Sequence, residues 1–464
     1  MEMMEFDSDG LTVLLMAVAG LGVLLVLGVL LRIWVPLLRR IFLPASLVGG
    51  VIGLVLGPNV VGLVSEGISA TWSGLAGVLI SVVFAPMLLG QKLPRIKEVA
   101  EDAGPHVWMA WFSTAAQVAI PCLLLFLVFE QGTGTNPLFS TIFEASWSGG
   151  HGTAAGMEQA WSALGWEEGT SLALGAATIS LIFGILMGTI LINIGARRGH
   201  LKYLGEKSDA GGSDVLGEEE SEGHMVTRLS PQSLSTLGFH FALILVAILI
   251  GFGLKTVLDP IITGMPLFPL AMIGGFVVHL AISRTSLYRL VDKSTLDAIA
   301  AVFLDFLVVS AVASLSIPVI LENWIALTVI SLTMAVLSLG IFFFLAPRIF
   351  KRDWFENGLV QFGTQTGVVA TALLLLRTAD PKMRSNGYRG LALSRPFISP
   401  FIGGGLVTAL FPILVMEYGN LWVGLGCLLF CIVLMPLARA IGLWAPSSSA
   451  KRQDAERVEA ARDY

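Results

Sequence analysis

Charged side chains are scarce in this chain: Asp, Glu, Lys and Arg make up 13% of its 464 residues, while 55% are hydrophobic and the mean hydropathy is +0.82. A water-soluble domain cannot carry that pattern, which excludes the soluble classes and leaves no basic surface for nucleic acid. Cysteine is nearly absent as well. Cys122, Cys427 and Cys431 lie inside apolar runs with neither disulfide nor metal-ligand spacing, which points to plain packing residues. No His-Glu-x-x-His pattern occurs, which argues against a zinc protease. The first apolar run, Leu11 to Leu31, lacks a small-residue cleavage site; acids precede it (Glu2, Glu5, Asp7, Asp9) and bases follow it (Arg32, Arg39, Arg40). This reverses the charge order of a secretory signal and predicts a retained helix with its N-terminus outside.

What the chain has in abundance is apolar runs long enough to cross a bilayer core of about 30 Å. Read between polar punctuation, they predict spans near 11–31, 42–63, 73–91, 106–129 and 171–195, then 234–255, 267–283, 296–317, 324–347, 391–416 and 420–438. The fold class is therefore all-α: a polytopic integral membrane protein with about eleven transmembrane helices. Two further segments, 137–165 and 355–376, are apolar but broken by glycine, and are read as re-entrant or discontinuous. With the N-terminus outside, Arg32, Lys92, Arg197, Arg284, Arg348, Arg389 and Arg439 fall on the cytoplasmic side and Lys255 outside, which fits both broken segments leaving on the side they entered.

The chain repeats itself. Pro44-x4-Gly49-Gly50 in the second span is echoed by Pro269-x4-Gly274-Gly275 in the seventh, and each half later presents a glycine-rich break. Five spans per half put the two copies in opposite orientations, the pattern of secondary transporters whose site lies near the midplane. The alternative is that these glycines only allow close helix packing. The expected division is a first repeat over 1–197, a flexible cytoplasmic linker over 198–232, a second repeat over 233–416, and an additional helix with a charged cytoplasmic tail over 417–464.

At Ser148-Gly-Gly-His-Gly-Thr153, the Ala and Trp positions that follow, and Pro44 to Gly50, the chain resembles the sodium/glutamate symporter family of bacterial inner-membrane carriers, over about residues 11–416. The second break differs from the family pattern in carrying Thr364, Gln365 and Thr366 where a denser glycine cluster is typical. The resemblance implies Na⁺-coupled glutamate uptake by a homodimer embedded in the inner-membrane lipid, with a mobile transport domain moving across a static scaffold. It implies no enzyme activity.

An amino-dicarboxylate carrier needs donors for carboxylates, an acceptor for ammonium and oxygens for Na⁺. Broken helices offer N–H groups at their N-terminal ends and free carbonyls at their C-terminal ends. The substrate-binding candidates are accordingly Ser148, Gly149, Gly150, His151, Gly152 and Thr153 in the first break, and Gly363, Thr364, Gln365, Thr366, Gly367 and Thr371 in the second. His151 either touches the ligand or holds the break open by bonding a carbonyl. Glu144 and Glu158 flank the first break as candidate ammonium partners, with an externally solvated carboxylate as the alternative role for Glu158. Asp305, mid-span, either binds Na⁺ or the ammonium, or bridges Arg395. Arg395 either clamps a carboxylate or snorkels to the cytoplasmic interface. A hydrolase using Ser148 and His151 lacks an orienting acid. A symporter of another organic anion, H⁺-coupled through His151 or Asp305, and a passive channel are the remaining alternatives.

Overall fold

The computed structural model describes residues 8–40, 43–91, 102–132, 134–201, 203, 235–261 and 264–444. Most of the expected linker, 198–232, and the tail beyond 444 lie outside the described residues. No strand occurs among the described residues, and nine helices are long and apolar enough to cross a membrane. The chain is an all-helical polytopic membrane protein.

In the first half, α1 (Ser8–Trp34), α2 (Ala45–Leu56), α3 (Glu66–Phe84) and α4 (Gly104–Leu124) are followed by three short helices, α5 (Ile142–Trp147), α6 (Gly150–Gly156) and α7 (Glu158–Ala163), and by the long α8 (Gly169–Arg197). The second half runs α9 (Thr236–Leu258), α10 (Leu267–Ser283), α11 (Lys293–Ala313), α12 (Trp324–Gly340), α13 (Trp354–Ala379), α14 (Gly387–Ile398) and α15 (Leu406–Ala440). Polar side chains start several of them by accepting N–H groups that have no helical partner. Ser65 accepts from Ile68 N at 3.4 Å, Ser235 from Gly238 N at 3.0 Å and Asp292 from Thr295 N at 2.9 Å.

Packing partners come in matched sets. Helix α1 packs on α2 and α2 on α11, while α9 packs on α10 and α10 on α3; α3 and α11 pack on each other. The glycine pairs do matching work. A methyl group added at Gly49 would lie 2.5 Å from Leu24 O of α1, and one at Gly274 would strike Ala247 O of α9. One at Gly50 would lie 2.6 Å from the Val312 side chain of α11, and one at Gly275 would strike Ala85 O at the end of α3. Close backbone approach is thus the local job of both Gly-Gly pairs.

Four expectations change. The broken segment 137–165 keeps most of its helix: α5, α6 and α7 occupy 142–163 except at 148–149 and 157, because a glycine run still closes helical turns when neighbours hold it. The 355–376 segment, read as re-entrant or discontinuous and left outside the span count, is a discontinuous helix: it lies within α13, whose two helical parts meet at Gly367 and Val368 and together are long enough to be a span. The expected span 42–63 is shorter, 45–56, ending at Gly57 before Pro58. The expected span 391–416 is interrupted at 399–405 between α14 and α15, and the expected helix 420–438 is the second part of α15, beyond a corner where Gly419 takes φ 77° and ψ 160°.

Candidate functional site

The first break is confined to Ser148 and Gly149, between α5 and α6, with Gly150 at φ 68°. The second lies inside α13, where Gly367 is extended and Val368 has φ 61° and ψ −171°. A β-branched residue in that region costs about 1–3 kcal/mol and persists only when its surroundings impose it. A methyl group built on Gly150 would lie 2.7 Å from Val368 Cγ1, so the tips of the two breaks touch.

Gln117 of α4, fully buried, ties these tips together: its Nε2 donates to Gln365 O at 3.1 Å and its Oε1 accepts from Ser148 Oγ at 2.5 Å. Ser180 of α8 donates to Thr366 O at 2.8 Å. Two carbonyls freed by the α13 break are thereby satisfied by side chains, which is the condition for irregular backbone at membrane depth. Gln117 and Ser180 are polar residues inside ordinary-looking spans, and nothing in their spacing marked them as partners of the breaks. The Gln365 side chain donates to Ser113 Oγ, while its buried Oε1 has no hydrogen-bond partner among the described residues.

The interruption between α14 and α15 is a third break in the same neighbourhood. Gly403 and Gly404 have φ 67° and 109°, and Thr153 Oγ1 donates to Gly403 O at 3.4 Å. The buried Glu144 carboxylate accepts from Gly403 N at 2.9 Å and from Thr408 Oγ1 at 3.1 Å. Pro400 and the run Gly403-Gly404-Gly405 were the sequence signal for this break.

Of the predicted residues, Ser148, Gly149, Gly150, Gln365, Thr366 and Gly367 lie at or beside the touching tips. Thr364, Thr366 and Thr371 turn their hydroxyls to carbonyls of their own segment: Gln361 O at 2.9 Å, Phe362 O at 2.8 Å and Gly367 O at 2.6 Å. Gly363 is a packing position, where an added methyl would lie 2.5 Å from Ala372 Cα across the α13 break. His151 Nε2 meets Thr178 Oγ1 of α8 at 3.0 Å, a hydroxyl rather than a carbonyl. Gly152 contacts Leu304 of α11, where an added methyl would lie 2.9 Å from Leu304 Cδ1.

Asp305 is exposed on α11 and faces the Ser46 hydroxyl. It forms no ion pair with Arg395, so the structural bridge between them is absent. Arg395 is half-buried on α14, four residues before the third break opens at Ser399. Glu158 accepts from Ser73 Oγ at 3.3 Å and lines a polar cavity of about 290 Å³ with Ser73, Ser162, Glu167 and Ser171, between α3, α11 and the first-break helices. No group of three His, Cys, Asp or Glu side chains arranged for a metal ion occurs among the described residues.

Comparison with curated proteins finds no match. The family model for sodium/glutamate symporters matches residues 9–372 of the 464, a region that includes both tips and every helix from α1 into the second half of α13. The chain belongs to the sodium/glutamate symporter family.

Proposed function

We propose that this protein is a Na⁺-coupled carrier that takes up glutamate across the bacterial inner membrane by alternating access. The observation that supports this most is the meeting of two interrupted helices at Gly150 and Val368, bound together by Gln117, in a chain of this family. A passive pore needs no such closed junction. Broken helices at the midplane give a carrier both donors and acceptors without a charged cavity.

In this reading the substrate carboxylates meet the N–H groups that open 369–379 and α15, and the Arg395 guanidinium closes on one of them in a bidentate pair. Ser148 and Gln117 orient the ligand. Asp305, next to the Leu304 contact with Gly152, places a carboxylate beside the first break and serves as a Na⁺ ligand. Helices α1–α3 and α9–α11 form a scaffold, the site of a homodimer contact, and the helices carrying the breaks move against it as an elevator. The two halves, 1–197 and 233–416, form an inverted repeat, with the N-terminus outside and the linker and C-terminus cytoplasmic. The matched glycine contacts support that division.

The test is radiolabelled glutamate uptake by the purified chain in liposomes. An inward Na⁺ gradient drives accumulation above the external concentration, and choline or K⁺ in its place does not. Equal uptake without Na⁺ refutes the coupling, and equilibration without accumulation favours a channel.

A further inference from the structure

Glu144 has no place in the reading above, although it is among the most enclosed carboxylates in the protein. Its side chain is 1% exposed. Its two oxygens are unlike. Oε1 accepts two hydrogen bonds, from Gly403 N at 2.9 Å and Thr408 Oγ1 at 3.1 Å, while Oε2 is buried with no hydrogen-bond partner among the described residues. Gly404 N in turn donates to Thr408 Oγ1 at 3.1 Å, so the carboxyl and this hydroxyl together hold the backbone of the third break.

The described residues around it supply no countercharge. Arg395, on the other side of the third break, forms no ion pair with it, and neither does any Lys or Arg among the described residues. The Cys427 thiol of α15 lies within electrostatic reach of it and carries no positive charge. Three other titratable groups on neighbouring elements are engaged elsewhere. Glu130 accepts from Asn420 Nδ2, Glu158 from Ser73 Oγ, and His151 meets Thr178 Oγ1. Cys122, on α4, is a buried free thiol. An ionised carboxylate enclosed in this way at membrane depth, with one oxygen bare, costs several kcal/mol. A carboxylic acid costs less: its carbonyl oxygen takes the two donors, and its hydroxyl is an unpaired neutral group, worth about 1–3 kcal/mol, in place of an unpaired charge. A Na⁺ ion fits this arrangement poorly, because the N–H and O–H hydrogens already directed at Oε1 repel a cation there.

We propose that Glu144 is a proton-binding site, and that its protonation sets the closed shape of the 399–405 break and thereby makes transport depend on pH. The proton comes from water and returns to it. When it leaves, the bare carboxylate draws water or a cation into the segment and the bonds to Gly403 and Thr408 no longer sit in a dry interior. This rests on the carrier reading for its consequence but not for the protonation itself.

The experiment is the infrared difference spectrum of the purified full chain in lipid as pH is raised, paired with Na⁺-driven glutamate uptake over the same range. The wild type should show the C=O stretch of a protonated carboxylic acid at neutral pH, fading on alkalinisation. That band should vanish in Glu144→Gln and persist in Glu158→Gln. Wild-type uptake should fall as pH rises through the midpoint of the band, and the Glu144→Gln profile should be flat there, whatever its absolute level, because the amide keeps the acceptor for Gly403 and Thr408. If Glu144→Gln fails to fold, Glu144→Asp should move the midpoint of the band. A band unaffected by both substitutions, no band at neutral pH, or carboxylate stretches that respond to Na⁺ instead would overturn the proposal. Absence of uptake with the Glu144-dependent band intact would count against the carrier reading and leave the proton site standing.

Discussion

A single amide side chain, Gln117, reaches both breaks, and its geometry explains why glutamine suits the position. It must accept from Ser148 and donate to Gln365 O at once, which a carboxylate or an aliphatic side chain cannot do. Gln117→Leu strands the half-buried Ser148 hydroxyl and the buried Gln365 carbonyl, the latter worth about 1–3 kcal/mol, so apparent glutamate affinity should fall tenfold or more while membrane expression persists. Initial uptake rates against glutamate concentration check this, and an unchanged KM would remove Gln117 from the site. Gly150→Val should abolish transport without preventing insertion, because the added side chain meets Val368 and the residue sits at φ 68°. Near-normal uptake by a correctly inserted Gly150→Val protein would show that the tips need not touch. The two residues differ in legibility. Gly150 stood out from its sequence because glycine clusters inside apolar runs are conspicuous, whereas Gln117 is one polar residue in a long span, and its importance comes from partners 31 and 248 positions away.

At the scale of the element, interruptions were legible where glycine crowded a run that was otherwise apolar, as at 148–152. They were less so where the break was a mere two residues inside a helix, as at Gly367 and Val368. The third break was hidden differently. Its prolines and glycines, 396–405, sit between apolar stretches that together have the length of one span, so hydropathy merged α14 with the start of α15. Helix starts rest on local chemistry, although the spans read from hydropathy did not use it: the expected 73–91 begins at Glu66, after the Ser65 cap. Asp292 caps α11 through Thr295 N, and its bonds to Ser294 first, then to Thr295, hold its carboxyl below the usual carboxylate range. A depressed pKa means the folded state favours the ionised form, so the stabilisation is present above the ordinary carboxylate pKa and is lost as pH falls through the depressed one. Asp292→Ala should cost about 1 kcal/mol at neutral pH and progressively less in acid. Thermal unfolding in detergent at both pH values measures this; a difference that grows in acid would contradict the cap.

Across the whole molecule, the all-helical class and a glycine-rich break in each half followed from hydropathy and spacing, because the bilayer imposes length and backbone satisfaction on every helix, whereas the division into spans shifted at 355–376 and over 391–438. Which breaks would touch did not follow, since that depends on how α4, α8 and α13 pack, and contact between residues two hundred positions apart leaves no periodic trace. Asp305 illustrates the same point: mid-span by sequence, it is exposed on α11 with Ser46 for company rather than Arg395. The central claim is that the touching tips are where Na⁺ and glutamate bind and that they open to each side in turn. Its most direct test is the labelling rate of a cysteine at the half-buried Ser148 by membrane-impermeant thiol reagents, in a chain with Cys122, Cys427 and Cys431 replaced. The account predicts reaction from either side of the membrane, slowed when Na⁺ and glutamate are present together and not by glutamate alone. Inertness from both sides in a transport-competent protein, or equal protection by glutamate without Na⁺, would contradict it.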